Sequence, residues 1–219
     1  MATAQEERSQ GKAKFSRNLA AVRDDLMELA SLAATAMEHS VKAVLTRDAD
    51  LARQVIIGDE TVNSLEEAID RECVRLIALF QPVAGDLRQL MAVDHIITEL
   101  ERIGDSATNI AEEVLTLRHL PPRPIHPSLA AMAQTVQEMV RQSLEAFFRG
   151  NAHLARQVCL MDADVDALDQ AIIQDLLREM AGAPRAILPS QSQINIVRNL
   201  ERVGDHATNV AEQVVYMVE

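Results

Sequence analysis

The sequence predicts an all-α protein built from two tandem homologous three-helix bundles, with six long helices in all. Long stretches of the 219 residues are rich in Ala, Leu, Glu, Gln, Arg and Met, which are the strongest helix formers. β-Branched residues occur singly rather than in the alternating runs typical of strands. A 15-residue segment recurs 100 residues further along the chain. Together these observations favour repeated helical units.

Breaks and N-cap residues place the six helices. Four residues are of the types that cap helix N-termini: Asp48, Ser128, Asn151 and Ser190. Ser190 and Gln193 also match the Ser-x-x-Gln capping box. The predicted helices span residues 18–46, 48–80, 83–118, 128–149, 151–181 and 190–218. Helices of about 30 residues joined by short turns are typical of up-down bundles.

The internal repeat predicts the domain organisation. Residues 100–114 (LERIGDSATNIAEEV) match residues 200–214 (LERVGDHATNVAEQV) at 11 of 15 positions. The sequence LARQV at residues 51–55 recurs at residues 154–158. Two homologous units are the simplest explanation. The predicted segments are a flexible N-terminus (1–17), a first bundle (18–118), a Pro-rich linker (119–127) and a second bundle (128–219).

The net charge limits the classes of partner. The chain has 33 acidic and 21 Lys or Arg residues, which gives a net charge of −12. Nucleic acid is excluded as a partner because its binding depends on clustered cations. Two distant cysteines, and the absence of a secretory signal or a run of about 18 apolar residues, predict a cytoplasmic protein.

Carboxylates share one face of the third and sixth predicted helices. Residues three and four apart lie on the same helix face, which places Glu101 beside Asp105 and Glu201 beside Asp205. The opposite face of the third helix forms a predicted apolar seam: Leu100, Ile103, Ala107, Ile110, Ala111 and Val114. Mid-helix Gly104 and Gly204 predict the close approach of a neighbouring helix.

The second and fifth predicted helices carry matching acidic faces. The second has Asp59 and Asn63, and the fifth has Asp162 and Asp166. Like charges four residues apart repel, and no Lys or Arg shares the arc of Asp162 and Asp166. The same unfavourable pattern in both halves of the chain indicates bound cations, the alternative being two solvated helix faces.

Oxygen ligands without nearby Cys or His predict a hard metal ion such as magnesium, manganese, calcium or iron. The Glu-x-x-His motif of ferritin-like di-iron sites is missing from the sequence. We predict that His206 is a surface residue rather than a ligand. There is also no Gly-Lys-Ser/Thr phosphate-binding loop and no evident nucleophile set.

Three segments carry a resemblance to a known family: QPVAGDLR at residues 81–88, LERIGD at 100–105 and LERVGDHATNVAE at 200–212. The chain resembles the PhoU family of bacterial phosphate-uptake accessory proteins. The resemblance implies multinuclear clusters of iron, manganese, magnesium or zinc on the two bundles. The ligands it implies are Asp59, Asn63, Glu101, Asp105, Asp162, Asp166, Glu201 and Asp205. Asn63 replaces a charged residue there, which implies a differently populated first cluster.

The resemblance also implies a function. A family member is a non-enzymatic adaptor that links a phosphate ABC transporter to a sensor histidine kinase and negatively regulates the phosphate regulon. It is implied to be a homodimer, and metal clusters are implied to aid peripheral association with the membrane. Two alternatives remain open: a metal-dependent hydrolase of phosphorylated substrates, and a purely structural helical interaction module.

Overall fold

A computed structural model describes residues 2–219, with side chains described from residue 10 onward. The six α-helices are α1 (Ala2–Thr46), α2 (Ala49–Phe80), α3 (Gly85–Arg118), α4 (Leu129–Arg149), α5 (Ala152–Gly182) and α6 (Ile187–Val218). A 3₁₀ turn, Pro184–Ala186, precedes α6. No strand occurs in this part of the chain, so the predicted all-α class is confirmed. None of the described helices is both long and apolar enough to cross a bilayer.

Two bundles share one central helix pair. Helices α1, α2 and α3 pack together, α4, α5 and α6 pack together, and α3 lies against α6. The seam predicted on α3 is buried, because none of its six residues exceeds 4% exposure. Apolar residues recurring every three to four positions therefore form the core of each bundle.

The central helices α3 and α6 run antiparallel. The carboxylate of Glu99 on α3 contacts His206 and Asn209 on α6. Further along α3, Glu113 accepts a hydrogen bond from Asn195, which lies earlier on α6. Later residues of one helix thus meet earlier residues of the other. This antiparallel packing is expected for equivalent helices of two repeats that are related by an approximate two-fold axis.

Helix α1 begins earlier than predicted. It starts at Ala2 and not at residue 18, so most of the segment assigned to the N-terminus belongs to the helix. Phe15 is 6% exposed, and its ring packs edge-on against Phe80 with 5.6 Å between centroids. This apolar contact packs the additional turns of α1 against the end of α2. The polar composition of residues 1–17 did not indicate such a contact. Met1 lies outside the described residues.

Two of the predicted N-caps form side-chain hydrogen bonds. Asp48 Oδ1 accepts hydrogen bonds from the backbone N–H groups of Asp50 and Leu51, both at 3.0 Å. Asn151 Oδ1 accepts from the N–H of Leu154 at 3.1 Å. Ser128 precedes α4 as predicted, but its side chain makes no capping bond.

The prediction that Ser190 caps the last helix is wrong. Helix α6 begins at Ile187, so Ser190 lies within the helix and is fully buried. The side chain of Gln193 is also engaged elsewhere. It accepts a hydrogen bond from the N–H of His126 at 2.8 Å and donates one to the carbonyl of Pro124 at 3.1 Å. Gln193 therefore holds the Pro-rich linker against α6 instead of closing a capping box.

Replacing the two working caps should destabilise the protein. We expect Asp48→Ala and Asn151→Ala each to lower the free energy of unfolding by about 1 kcal/mol, because each leaves helix N–H groups without an acceptor. Urea denaturation measures the change. Ser128→Ala is the matched control, and a loss there as large as at Asp48 would contradict the assignment of the caps.

Candidate metal centre

The eight predicted ligands fall into two grooves, one in each bundle. The first groove lies between α2 and α3, and the second lies between α5 and α6. The first groove contains Asp59, Asn63, Glu101 and Asp105; the second contains Asp162, Asp166, Glu201 and Asp205. The two acidic helices of each unit are neighbours in the fold, and their acidic faces are turned toward each other.

A threonine positions one carboxylate in each groove. Thr108 Oγ1 on α3 donates a hydrogen bond to Asp59 Oδ1 on α2 at 3.2 Å. Thr208 Oγ1 on α6 donates to Asp162 Oδ1 on α5 at 3.4 Å. The two bonds occupy equivalent positions in the repeats. Each threonine therefore holds an aspartate of the facing helix at the groove.

The mid-helix glycines allow the paired helices to approach, as predicted. A Cβ atom placed on Gly104 would lie 3.1 Å from Val62 Cγ1 and 3.7 Å from Asp59 Oδ1. A Cβ atom on Gly204 would lie 3.4 Å from Val165 Cγ1. The helices are therefore packed closely beneath both grooves, and more tightly beneath the first.

Alanine at the two glycines should have different effects. Alanine in place of a mid-helix glycine contributes up to about 1 kcal/mol of helix stability. We expect Gly204→Ala to be neutral or stabilising, because 3.4 Å is close to ordinary contact. Gly104→Ala should be less favourable, since Val62 must move. Urea denaturation of the two variants gives the comparison, and a more stable Gly104→Ala would contradict it.

Two carboxyl groups of the first groove, those of Glu101 and Asp105, ionise less readily than usual. Burial, followed by the charges of Asp105 and Glu66, raises the pKa of Glu101. Burial and the charge of Asp59 across the groove raise the pKa of Asp105. Carboxylates of α2 and α3 therefore repel each other across this groove, and a cation placed between them would relieve the repulsion.

The second groove has the same electrostatic character. Burial and the charges of Asp205 and Asp166 raise the pKa of Asp162. Burial, together with the charges of Asp205, Asp169 and Asp166, raises the pKa of Glu201. For Asp205, burial and the charge of Asp166 raise the pKa more than neighbouring His206 lowers it.

Two buried oxygens in the grooves have no hydrogen-bond partner within the described part of the chain. Asn63 donates a hydrogen bond from Nδ2 to Asp59 Oδ2 at 3.2 Å, but its Oδ1 is unsatisfied. On the acidic face of α5, Asp169 Oδ1 is unsatisfied as well. A buried acceptor without a donor is unfavourable, and a hard cation satisfies such oxygens directly. The residues present therefore fit a metal ion.

The grooves do not hold preformed three-residue cages. Among the described residues, no three Asp, Glu, His or Cys side chains converge on one point at distances suited to an ion. The carboxylates of each groove would rotate toward each other to share an ion. Asparagine and threonine oxygens, such as those of Asn63 and Thr108, are further available donors.

Acid should stabilise the metal-free protein. A carboxyl whose pKa is raised by folding contributes stability that is present below its unfolded pKa and is lost as the pH rises through the folded pKa. Glu101, Asp105, Asp162, Glu201 and Asp205 all shift in this direction. The melting temperature of chelator-treated protein should therefore rise between neutral pH and about pH 5, above the ordinary carboxyl pKa values.

The matched control for the pH dependence is Glu101→Gln combined with Asp105→Asn. These changes remove two of the groups with raised pKa values, so the melting temperature of the variant should rise less on acidification. Glu99 and Glu138 have lowered pKa values, so their contribution to the stability of the fold is lost only in more acidic solution. An unchanged pH profile in the variant would contradict the assignment.

His206 is not the surface residue that the sequence predicts. Its Nδ1 lies 2.7 Å from Glu99 Oε2, and the two side chains are 17% and 13% exposed. Asn209 donates a further hydrogen bond to the same oxygen at 3.0 Å. Burial acts against ionisation of Glu99, but these hydrogen bonds and the nearby charges of His206 and Arg102 lower its pKa. No sequence signal indicated this link, because it depends on the pairing of α3 with α6.

The fold and its two acidic grooves define a class: tandem-repeat helical-bundle proteins that present carboxylates between their helices. The family model described as the PhoU domain matches twice, at residues 26–114 and 129–214. The chain therefore belongs to the PhoU family.

Sequence relatives agree with the family assignment. The chain is 37% identical to a phosphate-specific transport system accessory protein PhoU homolog from Pseudomonas putida, over 94% of this chain and 80% of the relative. It is 36% identical to the corresponding protein of Aquifex aeolicus, over 94% and 93% of the two chains.

Solved structures agree as well. The crystal structure of PhoU from Pseudomonas aeruginosa superposes with a TM-score of 0.90 at 37% identity, covering 93% of this chain and 98% of that one. The phosphate transport system regulatory protein PhoU from Streptococcus pneumoniae gives 0.86 at 26% identity, covering 93% and 96%. Both relatives therefore share the tandem-bundle architecture over nearly their whole length.

Proposed function

We propose that this protein is a metal-binding adaptor of phosphate homeostasis. In this proposal it links a phosphate ABC transporter to a sensor histidine kinase and negatively regulates phosphate uptake and the phosphate regulon. The observation that carries the proposal is the pair of repeated acidic grooves, each with an unsatisfied buried oxygen. Relatives over most of the chain are named accessory or regulatory proteins of phosphate transport, and not enzymes.

The metal part of the proposal assigns the ions to the two grooves. The ligands would be Asp59, Asn63, Glu101 and Asp105 in the first groove, and Asp162, Asp166, Glu201 and Asp205 in the second. Bound iron, manganese, magnesium or zinc would supply positive charge that holds α2 to α3 and α5 to α6. Hard oxygen donors favour manganese, magnesium or iron over zinc. Asn63 supplies a neutral oxygen, so the first groove should bind its ions more weakly.

The adaptor part rests on the family and on the form of the molecule. Long helices in two joined bundles offer partners an extended rigid surface. We propose that the protein acts in the cytoplasm as a homodimer and associates peripherally with the membrane through the transporter and the kinase. Light scattering tests the dimer, and copurification of both membrane partners from phosphate-replete cells tests the adaptor role.

A phosphate-responsive reporter gene provides the functional test. In a strain lacking the chromosomal gene, the wild-type chain should keep the reporter repressed in phosphate-rich medium. Replacement of Glu101 by Gln and Glu201 by Gln should reduce both the metal content and the repression. Arg71→Gln, at an exposed ion pair away from the grooves, is the control for expression and folding.

The reporter experiment also separates the alternatives. Full repression by a variant that retains no metal would contradict the metal part and leave a purely structural module. A metal-dependent hydrolase predicts turnover of a phosphomonoester such as p-nitrophenyl phosphate in the presence of manganese. Turnover that Asp105→Asn abolishes would replace the adaptor proposal with that activity.

A further inference from the structure

A separate polar cavity lies between α3 and α6. Its volume is about 270 Å³, and side chains from both bundles line it. The lining consists of three asparagines, two glutamates and two arginines, and it includes none of the eight residues proposed as metal ligands. We call it the inter-bundle cavity.

One buried acceptor in the inter-bundle cavity has no partner. Asn199 lines the cavity and is 8% exposed. Its Nδ2 donates a 2.8 Å hydrogen bond to the backbone carbonyl of Asn195, which fixes the orientation of the amide. Its Oδ1 is buried and has no hydrogen-bond partner among the described residues. An unsatisfied buried acceptor is unfavourable, so the site lacks a hydrogen-bond donor.

The repeat shows what is missing from the inter-bundle cavity. Asn199 is the equivalent of Glu99, whose carboxylate accepts hydrogen bonds from His206 and Asn209. The equivalent of His206 in the first repeat is Ser106, which has a much shorter side chain. The imidazole that fills one side of the α3–α6 interface is therefore absent on the other side, where the cavity and the unsatisfied oxygen occur.

The charges around the inter-bundle cavity indicate the chemistry of a ligand. Arg198 and Arg202 lie four residues apart on α6 and both line the cavity. Guanidinium groups favour tetrahedral oxyanions, to which they donate paired hydrogen bonds. Asn199 Oδ1 on the α6 wall and the two glutamates on the facing α3 wall call for a hydrogen-bond donor and disfavour an anion without a proton. The ligand that satisfies both requirements is an oxyanion that retains an O–H group.

We propose that the inter-bundle cavity binds the protonated phosphate group, as inorganic phosphate or as a small phosphomonoester. Arg198 and Arg202 donate hydrogen bonds to unprotonated phosphate oxygens, and the phosphate O–H donates to Asn199 Oδ1. Near neutral pH inorganic phosphate retains a proton, whereas sulfate does not, so the site selects phosphate over sulfate. The inference goes beyond the proposed function, because this binding needs no metal in either groove.

Calorimetric titration of the full chain with chelator present tests the proposal. The probes are inorganic phosphate, glycerol 3-phosphate and sulfate at matched ionic strength. We expect saturable phosphate binding at least tenfold tighter than any binding of sulfate. Glycerol 3-phosphate identifies the source of the ligand: tighter binding than phosphate assigns the site to a monoester, and weaker binding assigns it to the free ion.

Single variants connect the binding to the inter-bundle cavity. Arg198→Gln and Arg202→Gln should each weaken phosphate binding at least tenfold. Asn199→Leu should weaken phosphate binding while leaving sulfate binding unchanged, because it removes the acceptor for the phosphate proton. Arg102→Gln, the repeat equivalent of Arg202 on the filled side of the interface, is the matched control and should bind phosphate normally.

Several outcomes would overturn the proposal. These are the absence of saturable phosphate binding, equal affinity for sulfate, or binding unaffected by both arginine variants. Tighter binding of Mg²⁺ by the arginine variants would assign the cavity to a cation instead. Metal content and reporter repression are measured separately, so failure of this proposal is distinguishable from failure of the proposed metal-binding function.

Discussion

Addition of Mn²⁺ to the metal-free protein is expected to raise its melting temperature by about 5–10 °C. An ion present at 100 times its dissociation constant stabilises a protein by about 2.7 kcal/mol. For a chain of this length, each kcal/mol corresponds to about 2–4 °C. The physical cause is that a bound ion relieves the repulsion between carboxylates that face each other across the two grooves, between α2 and α3 and between α5 and α6. Differential scanning calorimetry with and without the ion gives the shift.

The control is a variant in which four groove carboxylates are neutral: Glu101→Gln, Asp105→Asn, Glu201→Gln and Asp205→Asn. Without metal this variant should melt at a higher temperature than the wild type, because it lacks the repulsion. With Mn²⁺ the order should reverse, since the variant cannot retain the ions. A variant that gains as much from Mn²⁺ as the wild type would contradict the assignment of ligands.

Loss of the Glu99 side chain is expected to lower the free energy of unfolding by about 2–3 kcal/mol. Leaving a buried hydrogen-bonding group without its partner costs about 1–3 kcal/mol, and more where the group is charged. Glu99→Ala removes the acceptor shared by His206 and Asn209 and leaves both without a partner between the bundles. Urea denaturation measures the loss.

A double-mutant cycle of Glu99→Ala and His206→Ala isolates the contact. Residues that interact directly give coupling energies of about 0.5–3 kcal/mol. Glu67→Ala is a suitable comparison, because its ion pair with Arg71 has side chains that are 66% and 67% exposed. That pair should contribute less than about 1 kcal/mol. Additive losses at Glu99 and His206 would show that the two side chains do not act together.

The helices and their buried faces could be predicted because they follow from local patterns. The apolar period of α3 placed Leu100 and Val114 in the core, and the types of Asp48 and Asn151 indicated their caps. The start of α6 could not be predicted. Ser190 matches a capping pattern, but it is buried within α6, where its hydroxyl lies against Glu179 of α5.

The candidate site was predictable in part for the same reason. Helical spacing placed Glu101 beside Asp105, and the repeat indicated that the pattern matters. Helical spacing does not show which individual side chains meet between neighbouring helices, so the contacts of Thr108 with Asp59 and of His206 with Glu99 were not predicted. Both contacts depend on pairings between residues that are far apart in the chain.

The two-fold relation between the repeats bears on how such a chain could diversify. An assembly of identical half-length subunits must place the same amino acid on both sides of its symmetry axis. Fusion into one polypeptide removes that constraint, so each half can mutate independently. The glutamate–histidine pair of this chain and its asparagine–serine counterpart occupy the same two positions of the repeat. Duplication within one chain therefore allows one half of the α3–α6 interface to keep a structural contact, while the equivalent site in the other half is free to evolve a different function.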